Sequence, residues 1–148
     1  MDKKTMGWLV FHASLVLLAG FISGAPYGAA VTEQIASGGE GMVGEVRAWH
    51  MAHLEGVLNG MLMIATAAVA TQLLMSVRLQ SVIFWGLVVA GWTNVVASNI
   101  SAMTGGRGTG MTGMDWNTFN FVVFMAGIIG AVAAVALAMA GWRTAKAG

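Results

Sequence analysis

Apolar side chains fill the chain in four long runs, at about residues 6–24, 49–74, 81–103 and 119–142, with polar or glycine-rich stretches between them. At about 1.5 Å of rise per residue, each run is long enough to cross a hydrocarbon core of about 30 Å as a helix. Pro26, Tyr27 and Gly28 carry turn chemistry and are expected to end the first helix. Residues 33–45 are glycine-rich, acidic and aperiodic, and read as an exposed loop or a short interfacial helix. Residues 76–80 form a tight polar connection that returns the third segment antiparallel beside the second. The stretch from Gly105 to Gly110 lacks the strand, helix and lysine context of a phosphate-binding loop, so a flexible membrane-surface loop is expected. The pattern predicts an all-α integral membrane protein, one domain over residues 1–148, folded as an antiparallel bundle of four transmembrane helices.

Composition agrees: 57% of the 148 residues are hydrophobic and only 9% are charged, which excludes a soluble globule. A net charge of +1, with scattered basic residues, gives nucleic acid nothing to hold. The absence of cysteine excludes disulfides, thiolate ligation and a cysteine nucleophile, and leaves histidine as the obvious nitrogen ligand for a metal or haem. Lys3, Lys4, Arg78, Arg143 and Lys146 lie on the side of the termini, against Arg47 and Arg107 on the other. That bias predicts an inner membrane of bacterial type with both termini cytoplasmic. A cleaved signal peptide is the rival reading of the first segment; its length and His12 argue against it.

The second segment opens on Trp49 and carries two histidines, a carboxylate and an amide where a bilayer would otherwise meet hydrocarbon. Such groups usually face a bundle interior or a wet cavity. His50 and His53 share a helix face with Gly56 and Gly60, so a flat cofactor or another helix can approach closely, while Glu55 and Asn59 share the neighbouring face. His53 is either an axial ligand or an interhelical hydrogen-bonding group, and His50, one turn nearer the surface, competes with it. Glu55 is expected to be protonated, paired or close to the interface, where it supplies a proton, steers an imidazole or merely snorkels. Asn59 has the donor and acceptor to hold a substrate oxygen, or to join helices.

Asn94 and Ser98 share a face of the third segment, and Asn99 turns away from them. His12 needs a partner, either a haem propionate or a group within the bundle. Trp85 and Trp92, seven apart, suit core packing better than substrate stacking. Gly127, Gly130, Ala131, Ala134 and Ala138 suit close helix packing in the fourth segment.

The run His53-Leu54-Glu55-Gly56-Val57-Leu58-Asn59-Gly60 resembles the segment shared by small membrane isomerases, hydroxylaminobenzene mutase and styrene oxide isomerase. The mutase resemblance includes the full His-Leu-Glu-Gly run. The epoxide isomerase resemblance keeps His53, Asn59 and Gly60 with Met61-Leu62-Met63-Ile64-Ala65, and adds Gly91-Trp92-Thr93-Asn94-Val95, Asn99 and Arg107-Gly108. These blocks cover roughly the last two thirds of the chain. Ala90 stands where the epoxide isomerase has an aspartate, and Ser98 where its active-site tyrosine aligns, which puts styrene oxide itself in doubt; Tyr27, the sole tyrosine, is set aside as a residue of the first loop.

The resemblance implies that the first helix is retained and that the protein is a homotrimer with ferric haem b near subunit interfaces. His53 would be its metal ligand, His50, Gly56, Gly60 and His12 would surround it, and Asn59, Glu55, Asn94 and Ser98 would act on a small aromatic substrate. The implied activity is a redox-neutral intramolecular isomerisation, of an aryl epoxide to an aldehyde or of hydroxylaminobenzene to an aminophenol. A haem-binding electron-transfer subunit with His12 and His53 as two axial ligands, and a non-enzymatic membrane scaffold, are the alternatives.

Overall fold

The structure, a computed structural model, describes residues 1–38 and 43–147, without the side chain of Val43. Five helices, α1 (Lys3–Ala36), α2 (Val43–Ala70), α3 (Val77–Thr104), α4 (Trp116–Gly127) and α5 (Ile129–Ala147), make four candidate membrane spans. The described residues contain no strand. The fold is the expected all-helical membrane protein, with two corrections.

Helix α1 does not stop near Gly24 but runs through Pro26 to Ala36. Proline removes one N–H and leaves one carbonyl without its helical partner, a loss that neighbouring helices offset in membrane proteins. Here both flanks are held: Ser23 Oγ donates to Asn99 Oδ1 of α3 at 2.8 Å, and Ala30 is buried. With 34 residues, α1 is about 51 Å long, so its last turns project beyond the hydrocarbon. Residues 33–36 of the expected loop are therefore helical, and residues 39–42 lie outside the described residues.

The fourth span, the second correction, is broken at Ile128, whose N–H bonds to Met125 O at 3.2 Å in a tighter turn than the α-helix makes. Gly127 faces α3 there: a Cβ on it would lie 2.8 Å from Asn94 Oδ1 and 3.1 Å from Thr93 Oγ1.

Helix α3 is the centre of the molecule, touching α2, α4, α5 and, more lightly, α1; α1 lies chiefly on α2. Leu9 and Val16 of α1, Met63 of α2, and Val88 and Val95 of α3 form the apolar core. Small residues set the α3–α5 seam, Gly86 meeting Ala133 and Gly130 meeting Ala90, but the packed alanines are Ala133, Ala136 and Ala140, whereas Ala131, Ala134 and Ala138, expected on that face, are exposed. The outer face of α4 and α5 leaves Val122, Met125, Val132, Val135 and Met139 exposed. Such a face suits lipid or another copy of the chain.

The glycine-rich loop after α3 is tied down, where a flexible one was expected. Asp115 caps α4, accepting from Thr118 N at 2.8 Å and from Thr112 Oγ1 at 2.7 Å. The Thr118 N–H holds the Asp115 carboxyl below its ordinary value. Asn117 Nδ2 donates to Gly110 O at 2.8 Å, and the buried Asn120 donates to Gly106 O. The loop thereby lies over the end of the α2–α3 seam.

Candidate active site

Helices α1 and α2 cross where neither has a side chain. A Cβ on Gly20 would meet Val57 N at 2.5 Å and Gly56 C at 2.7 Å, so the backbones are in contact. A Cβ on Gly60 would lie 2.8 Å from Leu17 N. Gly56 and Gly60 are therefore covered by α1, and the flat approach they permit is taken by a helix rather than left to a porphyrin edge. That corrects their expected place around a cofactor.

The close crossing brings the Gly20 carbonyl to 2.9 Å from His53 Nδ1. A carbonyl only accepts, so Nδ1 carries the proton and Nε2 keeps its lone pair. Gly24 makes room for the ring, since a Cβ there would stand 3.1 Å from Nδ1. Tyr27 completes the face, nearly parallel to His53 at 6.0 Å between centroids and to His50 at 4.9 Å. Tyr27 is thus no loop residue. Gly20, Gly24 and Tyr27 recur at helical spacing, a signal that the expected stop at Pro26 concealed.

Glu55 follows His53 by two positions, about 200° round α2, and faces α3. There α2, α3, α4 and the tied loop border a half-open cavity of about 770 Å³. Met51, Met103 and Phe124 form apolar wall, Glu55 and Ser98 its polar part, and Arg47 and Arg107, both exposed, also line it. Ser98 Oγ donates to Asn94 O at 2.8 Å, with Val95 O at 3.2 Å, and the same hydroxyl meets the Glu55 carboxyl. Glu55 Oε2 is buried with no hydrogen-bond partner among the described residues.

Because α2 and α3 run antiparallel, one turn onward on α2 and one turn back on α3 puts Asn59 and Asn94 at the next level of this seam. Asn59 Nδ2 donates to Glu55 O at 2.8 Å. Of the four expected substrate-facing residues, Glu55 and Ser98 line the cavity, Asn94 Oδ1 lies toward Gly127 of α4, and His53 and His50 lie on the opposite side of α2.

His12 is remote from both. It accepts from Trp92 Nε1 at 3.2 Å and sits among Trp8, Phe11 and Phe84. Eight residues separate it from Gly20, about 12 Å along α1. Within one chain, His12 and His53 are not placed to bracket one iron. Trp92 packs on the core as expected, but Trp85 is 58% exposed. Asn99, turned away from Asn94 and Ser98, ties α3 to α1 through Ser23.

The donor chemistry of His53 fits haem iron. A metal-bound histidine almost always donates its other ring N–H to a carbonyl, a carboxylate or water, which fixes tautomer and ring plane, and Gly20 O does so here. No group of three or more metal-binding side chains occurs among the described residues.

These features define a small polytopic membrane protein with one ligand-ready imidazole and a carboxyl-lined cavity at the same end of the bundle. A family model described as styrene oxide isomerase matches residues 5–145, and the chain belongs to that family. It is accordingly an isomerase. Comparison with curated proteins gives no match.

Proposed function

We propose that the protein is a haem-dependent isomerase that rearranges a small aromatic substrate without net electron transfer, in the family's pattern from an aryl epoxide to an aldehyde. The hydrogen bond from His53 Nδ1 to Gly20 O carries this reading, because it leaves Nε2 available for iron. Bound ferric haem b supplies a Lewis acid for the substrate's oxygen. His53 would hold it. Epoxide isomerisation breaks one C–O bond and moves a hydride to the adjacent carbon, so atoms and electrons balance within the substrate.

The chain's own residues would bind and orient the substrate. Met51, Met103 and Phe124 suit an aromatic ring. Ser98 and Glu55 line the cavity in which polar substrate atoms would be held, with Asn59 and Asn94 one helical turn beyond them. His53 and this cavity lie on opposite faces of α2, so one chain does not close the site. A symmetric oligomer, a trimer by resemblance, would set one subunit's imidazole face against its neighbour, and the exposed apolar face of α4 and α5 favours such contact. We place both termini in the cytoplasm of a bacterial-type cell on the five-to-two distribution of basic residues.

The direct test incubates purified protein with styrene oxide and, separately, with hydroxylaminobenzene, with no added reductant or oxidant. Phenylacetaldehyde or an aminophenol should accumulate one for one with substrate lost. Conversion of neither rejects both substrates.

Tyr27 supplies a finer test. Tyr27→Phe keeps the stacked ring and should retain haem as the wild type does. Tyr27→Ala removes it and should weaken haem affinity about tenfold, the low end for losing an outer support of a metal ligand. Hemin titration of apoprotein measures both; equal affinities for all three proteins would deny Tyr27 this role.

A further inference from the structure

At the end of the bundle away from His53 and Glu55, α1 and α3 start side by side. The Met1 amine donates to Ala70 O at 2.8 Å and Asp2 N to Gln80 Oε1 at 2.9 Å, which holds the two helix starts at one level. Between them runs a groove of about 370 Å³. Lys4 and Trp8 belong to its α1 wall, and Ser81, Phe84 and Trp85 to its α3 wall.

Both walls repeat one pattern. Trp8 follows Lys4 by four positions and Trp85 follows Ser81 by four, so on each helix an indole stands one turn, about 6 Å, above a hydrogen-bond donor on the same face. Counted from the bond between Asp2 and Gln80, Trp8 lies six residues up and Trp85 five, so the indoles share a level. Neither is packed away: Trp8 is 51% exposed and Trp85 58%. Phe84 stands beside them, edge-on to Trp85 at 5.1 Å between centroids. Tryptophans with a charged residue just outside them mark the boundary between headgroups and acyl chains.

Charge points the same way. Lys3, Lys4, Arg78, Arg143 and Lys146 lie at this end. Asp2 also lines the groove, but its carboxylate is turned into the α1 cap, Oδ1 accepting from Thr5 N at 2.9 Å and Oδ2 from Thr5 Oγ1 at 2.8 Å.

We propose that this groove holds one anionic phospholipid, its phosphate on Lys4 and Ser81 and an acyl chain against Trp8, Phe84 and Trp85. A basic pocket between transmembrane helices at the membrane surface is the geometry that recognises such headgroups. A free phosphate ion would leave the aromatic walls uncovered, so the occupant is a lipid. Seated there, it braces α1 against α3, whose own contact is light.

The test reconstitutes the full chain in dioleoylphosphatidylcholine bilayers with a small, increasing share of brominated-chain lipid, carried on phosphatidylglycerol or on phosphatidylcholine. Bromine quenches tryptophan fluorescence on contact. The phosphatidylglycerol carrier should reach half its effect at an about fivefold lower share, the gain one basic residue brings at a membrane surface. Lys4→Gln should bring the two carriers together. Lys146→Gln, which removes a charge held over Trp142 at the same end, should keep the difference. Trp8→Phe combined with Trp85→Phe keeps aromatic walls and should abolish the excess quenching.

Equal quenching by the two carriers in the wild type overturns the proposal whether or not the variants fold. So does an excess that survives Lys4→Gln or the double tryptophan variant, which would put the lipid elsewhere. Loss of the difference in Lys146→Gln would also overturn it, by marking a response to the net charge of that end. A second copy of the chain seated in the groove would shield Trp8 and Trp85 from both carriers, and that result too rejects the lipid. The isomerase reading stands under any of these results, because the groove shares no residue with the His53 and Glu55 faces.

Discussion

Replacing His53 by alanine is expected to remove the haem absorption band, in ferric and in reduced protein, while His50→Ala keeps it. His53 has its Nδ1 proton engaged by Gly20 O and its Nε2 unencumbered, the state in which imidazole binds iron. His50 has no such carbonyl partner among the described residues and is held by its stack on Tyr27. Loss of a sole axial ligand should exceed the tenfold to hundredfold typical of losing an outer support, so the band should vanish rather than weaken. Spectra of detergent-purified wild type, His53→Ala and His50→Ala, grown with ample haem, decide this. A band lost in His50→Ala and kept in His53→Ala would reverse the assignment, and a wild type without haem would end the Lewis-acid mechanism. The same spectra separate isomerase from electron carrier, since a carrier needs a saturated low-spin iron and His12 lies about 12 Å along α1 from the level of His53.

The spans were legible because lipid imposes one demand, a long apolar helix, and four runs meet it. Their ends were less so. Pro26 reads as a stop in any soluble helix, yet Ala30 and the Ser23–Asn99 bond continue α1 beyond it. The break at Ile128 follows Gly127, a weak helix former whose lack of a side chain leaves room for Asn94 and Thr93 of α3.

At the site, helical periodicity correctly divided α2 into an imidazole ridge and a carboxylate–amide ridge. It left open whether a helix or a cofactor covers Gly56 and Gly60, because both need the same absence of side chains. Tyr27 was lost with the misplaced end of α1. The cavity depends on where the loop after α3 lies, which Asn117 and Asn120 set through bonds that no periodicity announces.

Gly56→Ala should be the most damaging single methyl group in the protein. A Cβ there would press on the Gly20 Cα and N, and backbone has no rotamer by which to yield. Overpacking typically costs 1–3 kcal/mol, and contact with a helix backbone belongs at the upper end, about 3 kcal/mol. Gly7 is the control: it lies in α1 with nothing within 4 Å of its would-be Cβ, so Gly7→Ala should be neutral or gain up to about 1 kcal/mol from helix propensity.

The damage should reach the chemistry. Parting α1 from α2 draws Gly20 O away from His53 Nδ1, so Gly56→Ala should loosen haem as well as lower thermal stability, although Gly56 need touch no cofactor. Thermal unfolding and hemin titration of the three proteins in one detergent measure both effects. If Gly56→Ala matched Gly7→Ala in stability, the backbone contact between α1 and α2 would be refuted. If it were unstable yet held haem as tightly as wild type, the Gly20 carbonyl would not be what orients His53.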